Sequence, residues 1–170
     1  SPAPRLEAIA ARTSGGVVLF GGESSAPGPD GPKTEWLNDT WVYSVGTESW
    51  DVRFKPGPPA RAFSTLAGNG QSAWLFGGQV NETRMGDVWA LDTSTWTWTE
   101  RTTTGGVTPR SGHAAAIDKD AQWMWVLGGD SGGQGDAVVA LDLKTSQWIH
   151  GLPKGPGWRF GTGASFLPGG

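Results

Sequence analysis

The sequence predicts an all-β chain made of repeated units of four short antiparallel strands. Three observations predict it. Glycine and tryptophan are both abundant, at 28 and 11 of 170 residues. Glycine pairs close apolar runs at three regularly spaced places. Short β-type segments between them alternate with turn residues. The glycines, with 12 prolines, would by themselves suit a disordered chain. The tryptophans argue the other way, because large aromatic surface drives collapse and burial.

The apolar runs are Val17-Val18-Leu19-Phe20-Gly21-Gly22, Trp74-Leu75-Phe76-Gly77-Gly78 and Trp125-Val126-Leu127-Gly128-Gly129. An arginine precedes each, at Arg5, Arg61 and Arg110, by 16, 16 and 18 residues to the first glycine. A fourth, Arg159, stands where a further unit would begin. The second halves also repeat. Asp39-Thr40-Trp41-Val42-Tyr43 aligns with Asp87-Val88-Trp89-Ala90-Leu91 and, more loosely, with Ala137-Val138-Val139-Ala140-Leu141. Trp50, Trp98 and Trp148 each follow seven residues later.

Each unit carries four strand signals, here called a to d. In the second unit, strand a is expected at Phe63–Ala67, before the turn Gly68-Asn69-Gly70. Strand b is Ala73–Phe76, and strand c is Val88–Leu91. Strand d is Thr95–Arg101, with Trp96 and Trp98 on one face. In the first unit, strand a is expected at Arg5–Ala10. Asp118-Lys119-Asp120 is the a–b turn of the third. The glycine pairs suit a strand that must end and turn away where backbones approach closely. The repeated tryptophans suit packing between neighbouring units.

This pattern of a glycine pair, an aromatic about a dozen residues on, and then tryptophan resembles the kelch repeat over essentially the whole chain. The third unit departs most. It lacks the first aromatic, its Asp136 is one place out of register, and Asp130-Ser131-Gly132-Gly133-Gln134-Gly135 replaces bulkier residues. The resemblance implies blades of a β-propeller, at 5–60, 61–109 and 110–158, with the first strand of another blade at 159–170. Four short strands cannot bury two apolar faces alone, and side-by-side packing of blades does so. Propellers use roughly four to eight blades. The chain is therefore expected to be part of a larger, six- or seven-bladed propeller, or to close one by self-association.

Composition narrows function. Lys and Arg number 13 against 16 Asp and Glu, a formal charge of -3 that argues against nucleic-acid binding. Cysteine is absent, which excludes disulfides, thiolate chemistry and cysteine metal sites. It also excludes the copper–tyrosyl–cysteine centre of some kelch-type oxidases. No apolar run approaches a membrane span, and no signal peptide is evident at the start. His113 and His150 have no metal-ligand spacing. No cofactor is expected.

Antiparallel geometry places the start of strand a and the end of strand b on one face of each blade. Arg5, Arg61, Arg110 and Arg159 thus share a face with the b–c loops, about Glu23–Glu35, Gln79–Gly86 and Asp130–Asp136. In kelch adaptors this face, with arginines at this position, forms the partner pocket. The resemblance makes Arg61 and Arg110 the best-matched candidates, with Arg84 and Asp130 on the loops beside them. Guanidinium groups suit carboxylates or acidic peptides. The alternative is that each arginine ties a neighbouring blade or a loop carbonyl. The Pro- and Gly-rich Glu23–Glu35 loop is either a recognition element or an unconstrained insertion. His113 occupies a position where kelch repeats often carry a buried structural histidine. Asp39 and Asp87 are expected to cap or bond the c-strand turn. Asn38 and Asn81 head N-glycosylation sequons that matter only on the secretory pathway. The leading expectation is a non-catalytic protein-interaction scaffold. The alternatives are a carbohydrate or metabolite enzyme at the channel mouth, and a structural component assembling through its blade edges.

Overall fold

Alternating apolar and polar side chains between tight turns give sixteen strands and no helix among the described residues of the computed structural model, which are 1–152 apart from 30, 54 and 119. Blade 1 contains β1 (Ile9–Thr13), β2 (Gly16–Phe20), β5 (Thr40–Ser44) and β6 (Ser49–Arg53), hydrogen-bonded in that order. Its b–c connection folds into a hairpin of β3 (Glu23–Gly28) and β4 (Gly31–Trp36). Blade 2 contains β7 (Thr65–Gly68), β8 (Ser72–Phe76), β11 (Val88–Asp92) and β12 (Thr97–Arg101). Its b–c hairpin is shorter, with β9 (Gln79–Val80) and β10 (Thr83–Arg84). Blade 3 contains β13 (Ala114–Ile117), β14 (Trp123–Leu127), β15 (Val138–Asp142) and β16 (Gln147–Ile149). Neighbouring strands within each blade are antiparallel. Strand β7 touches both β1 and β13, so the a strands adjoin from blade to blade.

The core lies between blades because strand side chains alternate in direction. Ala11, Val18 and Phe20 of blade 1 meet Leu66, Leu75, Leu91 and Trp98 of blade 2. The opposite face of blade 2 offers Ala67, Trp74, Phe76 and Val88 to Met124, Val126, Leu141 and Trp148 of blade 3. One aromatic contact recurs. The phenylalanine before the glycine pair packs against the strand-d tryptophan of the next blade. Phe20 lies 5.5 Å from Trp98, and Phe76 lies 4.9 Å from Trp148. The Trp98 indole N–H also donates to Thr40 Oγ1 at 3.0 Å.

Three details differ from the sequence reading. Strand a of blade 1 begins at Ile9 rather than Arg5. Leu6 pairs with Glu23 in an isolated bridge, and Glu7 then turns the chain with a φ of 52°. Phe63 and Gly112, at the same place in the next units, do likewise with φ of 56° and 63°. Trp96 lies in the c–d turn with a φ of 54°, not on strand d beside Trp98. Glu48 and Ser146 repeat that conformation. The segment Glu23–Glu35 is an ordered hairpin with register from Glu23↔Trp36 to Gly28↔Gly31. Its turn chemistry, Gly28-Pro29-Asp30-Gly31, was visible in the sequence.

Candidate functional site

The arginines stand at the base of the b–c loops. Arg5 Nη1 and Nη2 donate to Asp39 Oδ1 and Oδ2 at 2.6 and 2.9 Å, and Nη1 also reaches the Gly21 carbonyl. Arg61 repeats the arrangement on Asp87, at 2.6 and 2.7 Å, with the Gly77 carbonyl. The indole N–H of Trp41 donates to Asp39, and that of Trp89 to Asp87. The first two units thus tie the start of strand a, the first glycine of the pair and the start of strand c around one carboxylate. Burial pulls both aspartates upward, but the arginine and indole donors outweigh it and hold both below the usual carboxylate value. In blade 3, Ala137 replaces the aspartate and Val139 the tryptophan. Arg110 keeps the bond to the first glycine, donating to the Gly128 carbonyl.

The second glycine of the first two pairs joins one blade to the next. Gly22 N donates to the Arg61 carbonyl, and Gly78 N to the Arg110 carbonyl, each at 2.9 Å. In return, Arg61 N donates to the Leu37 carbonyl and Arg110 N to that of Met85. The motif arginines therefore serve as joints in both main chain and side chain.

This geometry changes the part that Arg61 and Arg110 can play. Both are fully buried, at 0% exposure, and the Arg5 guanidinium is also largely covered. The Arg61 guanidinium is enclosed by Asp87 and the Pro59 and Gly77 carbonyls, and that of Arg110 faces the Thr108 and Gly128 carbonyls, so both hold the bases of the loops in this structure. Arg84 and Asp130 differ. They form a 2.5 Å ion pair across the loops of blades 2 and 3, with side chains 34% and 46% exposed. Ser111 Oγ adds a 2.7 Å bond to Gln79 Oε1 at the same junction. Arg159 lies outside the described residues, as does the expected strand that follows it. Asn81 is exposed beyond β9 with a φ of 52°. Asn38 is also exposed, whereas the Thr40 of its sequon is buried beneath Trp98.

The loop face carries a cavity of about 430 Å³, between Pro4, Leu6, Glu23, Ser25 and Thr34 beside Arg5. A larger one, about 720 Å³, lies among the a–b and c–d turns, away from the arginines. Much of its polar lining is engaged in turns: Asn69 Oδ1 accepts from Ser72 N and Oγ, and Asp92 Oδ1 from Ser94 N and Oγ. Among the described residues, no group of three His, Asp or Glu side chains is placed to hold a metal ion.

Joints that recur unit by unit around arginine and the glycine pair define a repeat family. A family model described as the KLHDC2/KLHL20/DRC7 Kelch-repeats domain matches residues 1–164. The chain belongs to the kelch-repeat family. It is 33% identical over 122 residues to human Kelch domain-containing protein 1, covering 69% of this chain and 28% of that protein. Over 179 residues it is 30% identical to Host cell factor of Drosophila melanogaster, covering 87% of this chain and 12% of that protein. The solved structure of YjhT superposes with a TM-score of 0.67 at 21% identity, covering 89% of this chain and 54% of that one. This likeness shows the fold. The kelch chain thus spans about a quarter or less of these curated relatives and about half of that structural neighbour.

The kelch histidine, His113, sits between blades 2 and 3. Its Nε2 lies 2.9 Å from Thr65 Oγ1, and its ring packs edge-on against Phe76. Burial, reinforced by the Arg110 charge, pushes it down to about 3. The folded chain keeps this ring neutral at pH 7, while the unfolded chain protonates it near 6.5. Its contribution to stability is therefore complete above about 6.5 and falls as pH drops towards 3. Linkage gives an expected loss of about 2 kcal/mol between pH 7 and pH 5. Urea unfolding at the two pH values measures it, and His113→Gln should flatten the slope in that interval.

Proposed function

We propose that this kelch chain is a non-catalytic interaction scaffold that binds a protein partner through its b–c loop face. The exposed Arg84–Asp130 pair, held between loops whose bases are fixed by buried arginines, carries this reading. Arg84 is positioned to exchange Asp130 for a carboxylate of an acidic peptide segment. Such exchange costs little where the resident pair is solvated, because exposed ion pairs contribute at most about 1 kcal/mol. The partner is then recognised by a bidentate bond added to contacts from the β3–β4 and β9–β10 hairpins.

A panel of glutamate- and aspartate-rich peptides, titrated against the intact chain, tests this. Arg84→Ala should weaken retention of the best peptide about tenfold and leave the melting temperature within about a degree. Asp130→Ala should keep or improve binding. Equal binding by wild type and Arg84→Ala would overturn the assignment.

A second reading concerns the blade faces. Leu19, Trp41, Tyr43 and Trp50 of blade 1 occupy the positions that Leu75, Trp89, Leu91 and Trp98 hold on the buried face of blade 2. They remain partly exposed. Further blades, supplied by a longer polypeptide or a second copy, would cover this surface and complete the propeller.

A further inference from the structure

We infer that His150 is a protonation-controlled clamp on the Asp130–Asp136 loop of blade 3. The residue follows β16 at the outer end of the blade. Its Nδ1 lies 2.9 Å from Asp136 Oδ2, and its Nε2 lies 3.0 Å from the Gly105 carbonyl oxygen. A carbonyl oxygen has no proton to give. Asp136 is held ionised, below its ordinary value, by the His150 ring, the Gly151 main chain and the nearby Arg110 charge. Both groups facing the ring therefore accept. An imidazole satisfies two acceptors only as the imidazolium, donating from both nitrogens. The neutral ring keeps one N–H and turns a lone pair towards the other oxygen.

The surroundings decide which side yields when the proton leaves. Gly105 belongs to the connector from β12 to β13, which is bonded along β16. Thr104 N donates to the Ser146 carbonyl, and Trp148 N donates to the Thr104 carbonyl. Gly105 has a φ of 88°, and a Cβ there would lie 2.7 Å from the Trp148 oxygen. This carbonyl is fixed by close backbone packing. On the other side, Gly132, Gly133 and Gly135 all have positive φ in an exposed loop. Its first residue, Asp130, is anchored by reciprocal main-chain bonds with Ser111 and by Arg84. Loss of the proton thus loosens the hold on the Asp136 side chain, while the Asp130 end stays in place and Ala137 keeps the main-chain bond that its carbonyl accepts from Gly128 N. Among the described residues, the charged groups around the clamp are Asp136 from the loop and, acting on Asp136, Arg110 from the start of blade 3; the connector offers its carbonyl.

The consequence for partner binding rests on the scaffold reading above: acidic conditions hold the loop in one shape, and alkaline conditions release it. The clamp itself is tested without any partner. Hydrogen exchange of residues 131–137 in the intact chain, corrected for intrinsic rates and referenced to β7 and β8, is compared at about pH 5.5 and about pH 8.5, on either side of neutrality. Protection of the loop should fall about threefold at the higher pH, the scale of an exposed ion pair, since the two side chains are 39% and 44% exposed. His150→Gln and Asp136→Asn should each abolish the difference, and Arg84→Ala should preserve it. Nitrogen-15 spectra should show both His150 ring nitrogens protonated at the lower pH. Three results would overturn the proposal: a neutral His150 at that pH, equal loop protection at both pH values, or an unchanged difference in His150→Gln.

Discussion

Replacing Asp87 by alanine is expected to destabilise the fold by about 3–5 kcal/mol, the cost of leaving a buried cation without its counter-charge. Arg61 is fully buried and donates to both Asp87 oxygens. The substitution removes the carboxylate and leaves the guanidinium only carbonyl acceptors, those of Pro59 and Gly77. The Trp89 indole loses its acceptor as well. Equilibrium urea denaturation at pH 7 measures the loss. Asp39→Ala should cost less, because Arg5 and Asp39 both retain more solvent than Arg61 and Asp87. The pH dependence has a defined sign. Asp87 is held below 3.8 in the fold, so its contribution is present above that value and is lost as pH falls through the lower, folded one. A loss under 1 kcal/mol would mean that the pair is a by-product of packing and not a joint.

Gly77→Ala is expected to destabilise the fold by about 3 kcal/mol or more. Gly77 has a φ of 63°, which L-residues adopt at a cost. A Cβ there would also lie 2.6 Å from the Arg110 carbonyl and 2.9 Å from the His113 ring. The backbone must move, and the same Arg110 carbonyl accepts the bond from Gly78 N that joins blade 2 to blade 3. Gly133→Ala is the control. Its φ of 77° carries similar strain, but nothing lies within 4 Å of the added atom. It should cost only about 1 kcal/mol. Calorimetry of the two variants separates backbone strain from collision between blades, and equal losses would refute the collision argument.

Much of the architecture was legible because the repeat reports on itself. The glycine pairs, the arginine before each and the tryptophan after each mark equivalent places in three units, and local periodicity supplies the strands. The hairpin of β3 and β4 was written in turn residues, yet its Pro- and Gly-rich composition read as loop. The left-handed residues Glu7, Phe63, Glu48 and Trp96 carried no such signal. Their side chains do not favour positive φ. A hint lay in Gly112, the one glycine at the position that Glu7 and Phe63 share.

The candidate site was legible in location but not in detail. Repetition put the arginines on the loop face. It could not tell whether a guanidinium points outward or is enclosed, because the partner that encloses it lies 26 residues away for Arg61 and 34 for Arg5. The aspartates were assigned to turns for the same reason: a one-dimensional pattern shows recurrence, not which recurring residues meet. The sequence by itself determined an all-β kelch repeat, the strand order within a unit and the face on which the loops gather, since these follow from local side-chain alternation, turn chemistry and period. Only the tertiary structure decided that Arg61 and Arg110 are internal joints, that Arg84 and Asp130 form the exposed pair, and that His150 faces two acceptors. Those outcomes depend on which distant side chains share a desolvated space, a quantity that no local spacing encodes.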